Sequence, residues 1–164
     1  MNTSAIQSKP NNTFNTTILY VDDEINNLQS FKANFREFYK ILTAESAEEG
    51  KQKLKENEIH IVITDQRMPK ITGVEFLESI IDEYPEPIRI LLTGYADIEA
   101  VKDAINKGKI YHYATKPFDS DELKIVIDKA WEVFSLRAEN KKLIKDLIKT
   151  NSQLDFMLRQ KLIS

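Results

Sequence analysis

The strongest constraint on the fold is an alternation along the chain. Five short apolar runs, Thr17–Val21, Tyr39–Ala44, Ile59–Thr64, Ile88–Thr93 and Ile110–Thr115, are separated by stretches in which apolar residues recur every three or four positions. Those stretches are Ile25–Glu37, Ala47–Asn57, Val74–Glu83 and Ile98–Lys107, with a further helical pattern after the last run. Strand-length runs taking turns with amphipathic helices are the repeat of a parallel sheet covered on both faces. The runs Ile59–Ile63 and Ile88–Leu92 are apolar enough for central strands. Breakers fall where connections belong: Met68-Pro69, Thr72-Gly73, Pro85-Glu86-Pro87, Gly94 and Lys116-Pro117. Ser46, with Glu49 three residues on, predicts a capping box at the second helix.

The two ends of the chain depart from this pattern. Residues Met1–Asn15 are rich in Asn, Thr and Ser and read as a disordered leader. Glycosylation-type triplets there carry no weight without a secretory signal. From Asp121 a helical pattern runs to about Leu158, a length of about 57 Å if unbroken. Its first part, Leu123, Ile127, Ala130 and Phe134, offers a face to the sheet. A second stripe follows 3-4-3-4 spacing through Val133, Leu136, Asn140, Leu143, Leu147, Thr150, Leu154 and Met157, the pattern of a coiled-coil seam. The expected organisation is therefore a leader over 1–15, an α/β domain over 16–134, and a coiled-coil helix over 135–164 continuous with the domain's last helix. Such a seam predicts a homodimer, with Asn140 as a device for fixing two-stranded register.

Composition closes off several chemistries. There is no cysteine, which excludes disulfides, thiolate catalysis and Cys-type zinc sites together. His60 and His112 are the only histidines, too few for a histidine metal cluster, and both read as surface or edge residues without a role. A net charge of −3 gives no global basic field for nucleic acid or a membrane surface. Lys141, Lys142, Lys145 and Lys149 cluster on the long helix, but acidic residues interrupt them, and a solvated flank is the simpler reading. No apolar run approaches the roughly 20 residues of a membrane helix, and the leader lacks a signal-peptide core. A cytoplasmic location fits.

Placed on this scaffold, the polar residues converge. Asp22 and Asp23 follow the first run, Asp65 the third, Thr93 closes the fourth and Lys116 follows the fifth. All five lie at the carboxyl ends of strands, where open α/β sheets form their functional crevice. A flavodoxin-like doubly wound order, 2-1-3-4-5, would make the first and third strands neighbours and bring the three carboxylates together. Three adjacent carboxylates repel and raise one another's pKa unless a cation is present. A hard divalent ion resolves this, and Mg²⁺ suits carboxylate, carbonyl and water ligands. A carboxylate beside such an ion can attack phosphorus, while a lysine and a hydroxyl offset charge on the transferring group.

Four segments carry a family likeness: Tyr20-Val21-Asp22-Asp23-Glu24, Thr64-Asp65-Gln66-Arg67-Met68-Pro69, Leu92-Thr93-Gly94-Tyr95 and Ala114-Thr115-Lys116-Pro117-Phe118. In order and spacing they resemble response-regulator receiver domains of two-component signalling, over about Thr16 to Phe134. The resemblance implies that Asp65 accepts a phosphoryl group from a sensor histidine kinase. It implies Mg²⁺ held directly by Asp23 and Asp65, through water by Asp22, and by the Arg67 backbone carbonyl. Lys116 would pair with the phosphoryl oxygens and Thr93 would move to hydrogen-bond them, with Tyr113 as the aromatic switch that follows Thr93. Lys116-Pro117 resembles the family's cis peptide. The resemblance implies no turnover of an external substrate, only autocatalysed transfer onto Asp65 and slow loss from it. The narrower wording, including Gly-Lys-Ile-Tyr-His-Tyr-Ala-Thr-Lys-Pro, is similar to receivers that precede HD-GYP phosphodiesterase modules or sit in hybrid kinases. Positions like those of Arg67 and Tyr95 flank the phosphorylation site in such receivers and tune dephosphorylation.

Each residue also has a plainer reading. Acidic pairs at strand ends serve as helix N-caps, threonines as turn residues, and aromatics on a last strand as packing. A haloacid-dehalogenase-like phosphatase also combines Asp, Mg²⁺, Thr and Lys, but needs Asp-x-Asp after its first strand, where this chain has Asp22-Asp23-Glu24. An unphosphorylated scaffold presenting a coiled coil has no need of all five site residues. No effector is recognisable before Ser164, so either the chain is a fragment of a longer regulator or the coil itself is the output surface, and the fragment, with its output domain outside this chain, is the expectation.

Overall fold

The computed structural model describes residues 15–163, so the expected leader lies outside the described residues except for Asn15. Five strands form one parallel sheet: β1 Thr17–Val21, β2 Lys40–Ala44, β3 Ile61–Asp65, β4 Ile88–Thr93 and β5 His112–Thr115. Their order is β2-β1-β3-β4-β5, as expected. The helices are α1 Ile25–Phe35, α2 Ala47–Glu56, α3 Gly73–Ile80, α4 Ile98–Asn106 and α5 Ser120–Ile163.

Alternation along the strands sorts side chains to two faces. Ile18, Tyr20, Ile61, Ile63, Ile90 and Leu92 pack against Leu28, Phe31 and Phe35 of α1 and Leu123, Ile127 and Ala130 of α5. Leu19, Val21, Val62 and Leu91 pack against Leu54 of α2, Phe76, Leu77 and Ile80 of α3, and Val101 and Ala104 of α4. Residues of β1 and most of β3 and β4 are inaccessible to solvent, so truncating any of their large side chains to alanine costs about 2–5 kcal/mol.

Element ends differ from the sequence expectation for identifiable reasons. Ile59 and Ile110 are buried, yet the ladders begin only at Ile61 and His112, because these two plug the core below the strands without joining them. At α2, Ser46 Oγ accepts from the Glu49 N–H at 3.1 Å, but the Glu49 carboxylate accepts from the Glu45 N–H at 2.9 Å. The return half of the capping box thus shifts back one residue. A 3-10 turn, Tyr95–Asp97, precedes α4, where no separate element was expected.

α5 is a single helix of 44 residues, longer than the Asp121–Leu158 pattern. Asp119 caps it, its Oδ1 accepting from the Asp121 and Glu122 N–H groups at 2.9 and 3.0 Å. Beyond its sheet-packed part Leu136, Leu143, Leu147, Leu154 and Met157 are all exposed.

His60 corrects the expectation of a role-free surface residue. Its side chain is only 12% exposed. Nδ1 accepts from the Thr17 N–H at 2.9 Å, and the ring meets Trp131 and Phe134 of α5 edge-on, with centroids 5.0 and 4.9 Å away. His60 therefore ties the start of β1 to the root of the long helix, and only the neutral ring can accept that bond. Burial lowers its pKa, opposed by Glu58, whose carboxylate lies 3.6 Å from Nε2. A base with a depressed folded pKa stabilises the fold above its unfolded value, near 6.5, and loses that contribution as pH falls below it. His60→Asn, which keeps an acceptor but does not titrate, should flatten the decline in urea midpoint between about pH 7 and pH 5. The wild-type excess slope cannot exceed about 1.4 kcal/mol per pH unit for one proton. Identical slopes in the two proteins would assign the decline elsewhere.

Candidate functional site

The carboxyl ends of β1, β3, β4 and β5 meet at one end of the sheet. The register sets Val21 beside Thr64, Asp65 beside Leu92 and Thr93 beside Thr115, so the residues just past each strand share one rim. Ligand oxygens of Asp22, Asp23 and Asp65 lie within 4.8 Å of one another. This is the convergence that the spacing predicts.

Asp22 is fully buried and carries four hydrogen bonds. Its Oδ1 accepts from the Glu24 N–H at 2.9 Å. Its Oδ2 accepts from Tyr20 Oη at 2.8 Å, Asn27 Nδ2 at 3.1 Å and Lys116 Nζ at 3.1 Å. Tyr20 and Asn27 were not among the expected site residues. Tyr20 shares a strand face with Asp22, a signal that alternation contains, whereas Asn27 is placed by the turn of α1. Burial, then the Asp22 charge, drives the Tyr20 phenol far above its usual pKa, so it remains a proton donor to Asp22.

Lys116 is the cation of the cluster. Nζ lies 3.0 Å from Asp65 Oδ1 as well as 3.1 Å from Asp22 Oδ2. Burial pulls its pKa down, but the Asp65 and Asp22 carboxylates outweigh this and hold it above the ordinary lysine value. Burial raises the Asp65 pKa, with Lys116 opposing and Asp22 adding to the rise. The backbone delivers Lys116 through its N–H, which donates to the Thr93 carbonyl at 2.9 Å, and the Lys116-Pro117 peptide is cis as expected.

Asp65 is set from below by Gly73. A Cβ on Gly73 would come 2.3 Å from the Asp65 carbonyl oxygen, so only glycine lets α3 approach this closely. The Gly73 N–H donates to the Gln66 carbonyl at 2.9 Å, and the Val74 N–H to Gln66 Oε1 at 3.0 Å. Thr93 is fully buried, its Oγ1 donating to the Gly94 carbonyl at 3.2 Å. Tyr113 is half-buried against the α2–α4 face of the core. Arg67 lines the rim with Asp23 and Asp97. Its guanidinium Nε donates to Asp97 Oδ2 at 2.9 Å, a contact that sequence spacing did not suggest.

The donor set fits a hard divalent cation: three oxygen-only side chains, one buried and one exposed, around a shared rim. Asp22 is saturated by its four donors, leaving Asp23 and Asp65 as the carboxylates better placed for direct ligation. No described helix is long and apolar enough to cross a membrane.

Known proteins are similar to this chain in sequence and in fold. The chain is 34% identical over 148 residues to the hydrogenase transcriptional regulatory protein HoxA of Cupriavidus necator, covering 90% of this chain and 31% of that protein. It therefore spans about a third of the length of that relative. The signal receiver domain of an HD domain-containing protein from Pseudomonas fluorescens is 34% identical, with a TM-score of 0.70 over 76% of this chain and 92% of that one. The response regulator TrrA of Thermotoga maritima, solved in complex with Mg(2+)-BeF, is 34% identical, with a TM-score of 0.63 over 70% of this chain and 98% of that one. Residues 18–128 match the response regulator receiver domain family, and the chain belongs to that family.

Proposed function

We propose that Asp65 accepts a phosphoryl group from the phosphohistidine of a sensor kinase and that the chain passes this state to an output through α5. The observation that carries the reading is the Lys116 ammonium held between Asp65 and Asp22, beside Asp23, on a rim built from separate strands. In the transfer an Asp65 carboxylate oxygen forms the new bond to phosphorus. The P–N bond of the donor breaks, and the imidazole keeps its electron pair. Lys116 moves its hydrogen bonds toward the phosphoryl oxygens and offsets their charge. Asp23, Asp65 and the Arg67 carbonyl would hold Mg²⁺, with Asp22 acting through water. A bound Mg²⁺ neutralises charge shared by nucleophile and phosphoryl group. The presence of Mg(2+)-BeF in the Thermotoga regulator supports this assignment. Acetyl phosphate with Mg²⁺ should add one phosphoryl group, read by intact mass. Asp65→Asn should abolish labelling and EDTA should suppress it in the wild type. Full labelling of the Asp65→Asn chain would overturn the assignment.

Thr93 and Tyr113 report the state rather than perform the chemistry. Thr93 Oγ1, now spent on the Gly94 carbonyl, is the hydroxyl on β4 available to turn toward a phosphoryl group, and Tyr113 is the ring packed on the neighbouring strand. Thr93→Ala should still accept the phosphoryl group. Hydrogen exchange with and without beryllofluoride should show smaller changes over α4, β5 and the start of α5 than in the wild type. Equal changes in the two proteins would remove Thr93 from the switch.

The division into a receiver over 16–134 and a signalling helix over 135–164 is supported by the apolar stripe on α5, which is exposed beyond the part packed on the sheet. A second copy in a parallel two-stranded coil buries that stripe. Val133, Asn140, Leu147 and Leu154 then occupy one core position of the heptad and Leu136, Leu143, Thr150 and Met157 the other. Glu132 and Arg137′ fall at flanking positions that pair across such a coil, which favours the parallel arrangement. The setting is the cytoplasm, where the kinase's phosphohistidine is presented. At about 100 µM the intact chain should sediment as a dimer and a version ending at Phe134 as a monomer. Monomers in both cases would overturn the coil.

A further inference from the structure

The helix starts fall into two groups, three capped by a side chain and two not, Glu24 at α1 making no side-chain cap hydrogen bond. Ser46, Thr72 and Asp119 each accept a backbone N–H from the first turn of α2, α3 and α5. Asp97 occupies the same position on α4 and makes no side-chain cap hydrogen bond. Its carboxylate reaches instead to Arg67 Nε, 2.9 Å away on the β3–α3 connection. The Asp97 side chain is 26% exposed and that of Arg67 76%, so a fixed acceptor holds a side chain with room to swing.

Arg67 has a second anionic neighbour. It lies two residues past Asp65, whose carboxylate acts on the guanidinium in the same sense as Asp97. At present Asp97 holds the hydrogen bond. A phosphoryl group on Asp65 alters only the other side of this competition. It carries close to two negative charges and three acceptor oxygens, and the guanidinium fork matches phosphate geometry. Asp97 offers one charge and two oxygens.

We propose that the Arg67–Asp97 ion pair is a latch opened by the phosphoryl group on Asp65, Arg67 exchanging Asp97 for the phosphoryl oxygens. Asp97 is then a positioning residue that acts through Arg67 and sets how readily the site takes its phosphoryl group. Released, its carboxylate stays at the amino end of α4, where the helix dipole favours negative charge. Opening the latch therefore frees the 3-10 turn that joins α4 to Thr93 and Gly94. The latch rests on the Asp65 reading above.

Two measurements on the full chain test it. In the unphosphorylated protein, Arg67→Ala and Asp97→Ala should each speed hydrogen exchange over residues 94–100 by a similar factor, up to about fivefold for an exposed pair. No change in either variant would overturn the latch. In beryllofluoride titrations with Mg²⁺, Asp97→Ala should lower the half-saturating concentration, by up to about fivefold, because Arg67 is no longer held elsewhere. In an Arg67→Ala background the same substitution should change nothing, a coupling that a double-mutant cycle isolates. A wild-type response with no such coupling overturns the latch alone. No beryllofluoride response and no labelling in the wild type would overturn the Asp65 reading and the latch with it.

Discussion

Everything at the carboxyl end of the sheet depends on one ammonium placed between two carboxylates. Asp22 is fully buried and Asp65 largely so, and two carboxylates this close repel unless a cation lies between them. Lys116 supplies it at 3.0 and 3.1 Å from a strand three positions across the sheet from β1. Removing one partner of such a buried arrangement typically costs about 3–5 kcal/mol, because the remaining charge is stranded. The same ammonium is what an incoming phosphoryl group would recruit. The site is therefore held together by the contact that its chemistry would rearrange, and the apolar sheet beneath must keep the strand ends in place meanwhile. Tyr20 and Asn27 help, since both hold Asp22 when Lys116 turns away.

The sequence made most of this rim legible, and for a physical reason. A parallel sheet sends the residue after each strand to the same edge, so finding where apolar runs stop also locates Asp22, Asp65, Thr93 and Lys116. Less legible were features in which burial and pairing separate. Ile59 and Ile110 read as strand because they are apolar, yet they fill the core without joining a ladder. His60 read as peripheral because a lone histidine in an apolar run gives no hint of Trp131 and Phe134, some seventy residues on. The Arg67–Asp97 pair spans 30 residues and two loops, and nothing in local spacing reports it. Nor does alternation foresee a 3-10 turn, whose existence depends on how the chain leaves β4 after Thr93.

The long helix shows how one periodicity can serve two partners. At 100° per residue, Leu123, Ile127, Ala130 and Phe134 centre on one side of α5, and Leu136, Leu143, Leu147 and Leu154 centre about 150° away. The first group is buried or half-buried against the sheet and the second is exposed. A helix that changes its apolar side within one or two turns is not extending its own domain's core. It is leaving it, and the residues at the changeover, Trp131 to Phe134, are those that His60 grips. Lys141, about two turns farther out, reaches back to Glu86 on the connection before β4 at 3.3 Å.

These two ends of the molecule are joined by the shortest covalent route available. α5 begins four residues after Lys116, at the carboxyl end of the sheet, and runs back past the opposite end where β1 starts. Its 44 residues contain neither glycine nor proline, so no flexible joint interrupts it. On the proposed reading, a displacement at Lys116, Pro117 or Phe118 would enter the helix at its first turn, with no glycine or proline along α5 to form a sharp kink. The His60 contact with Trp131 and Phe134 lies between the start of the helix and its exposed stripe. On the proposed reading, a shift at the site end would reach the stripe only by way of this contact. If α5 carries the state of the site to an output, its rooting at Trp131 and Phe134 matters to that transfer as much as the charges at Lys116.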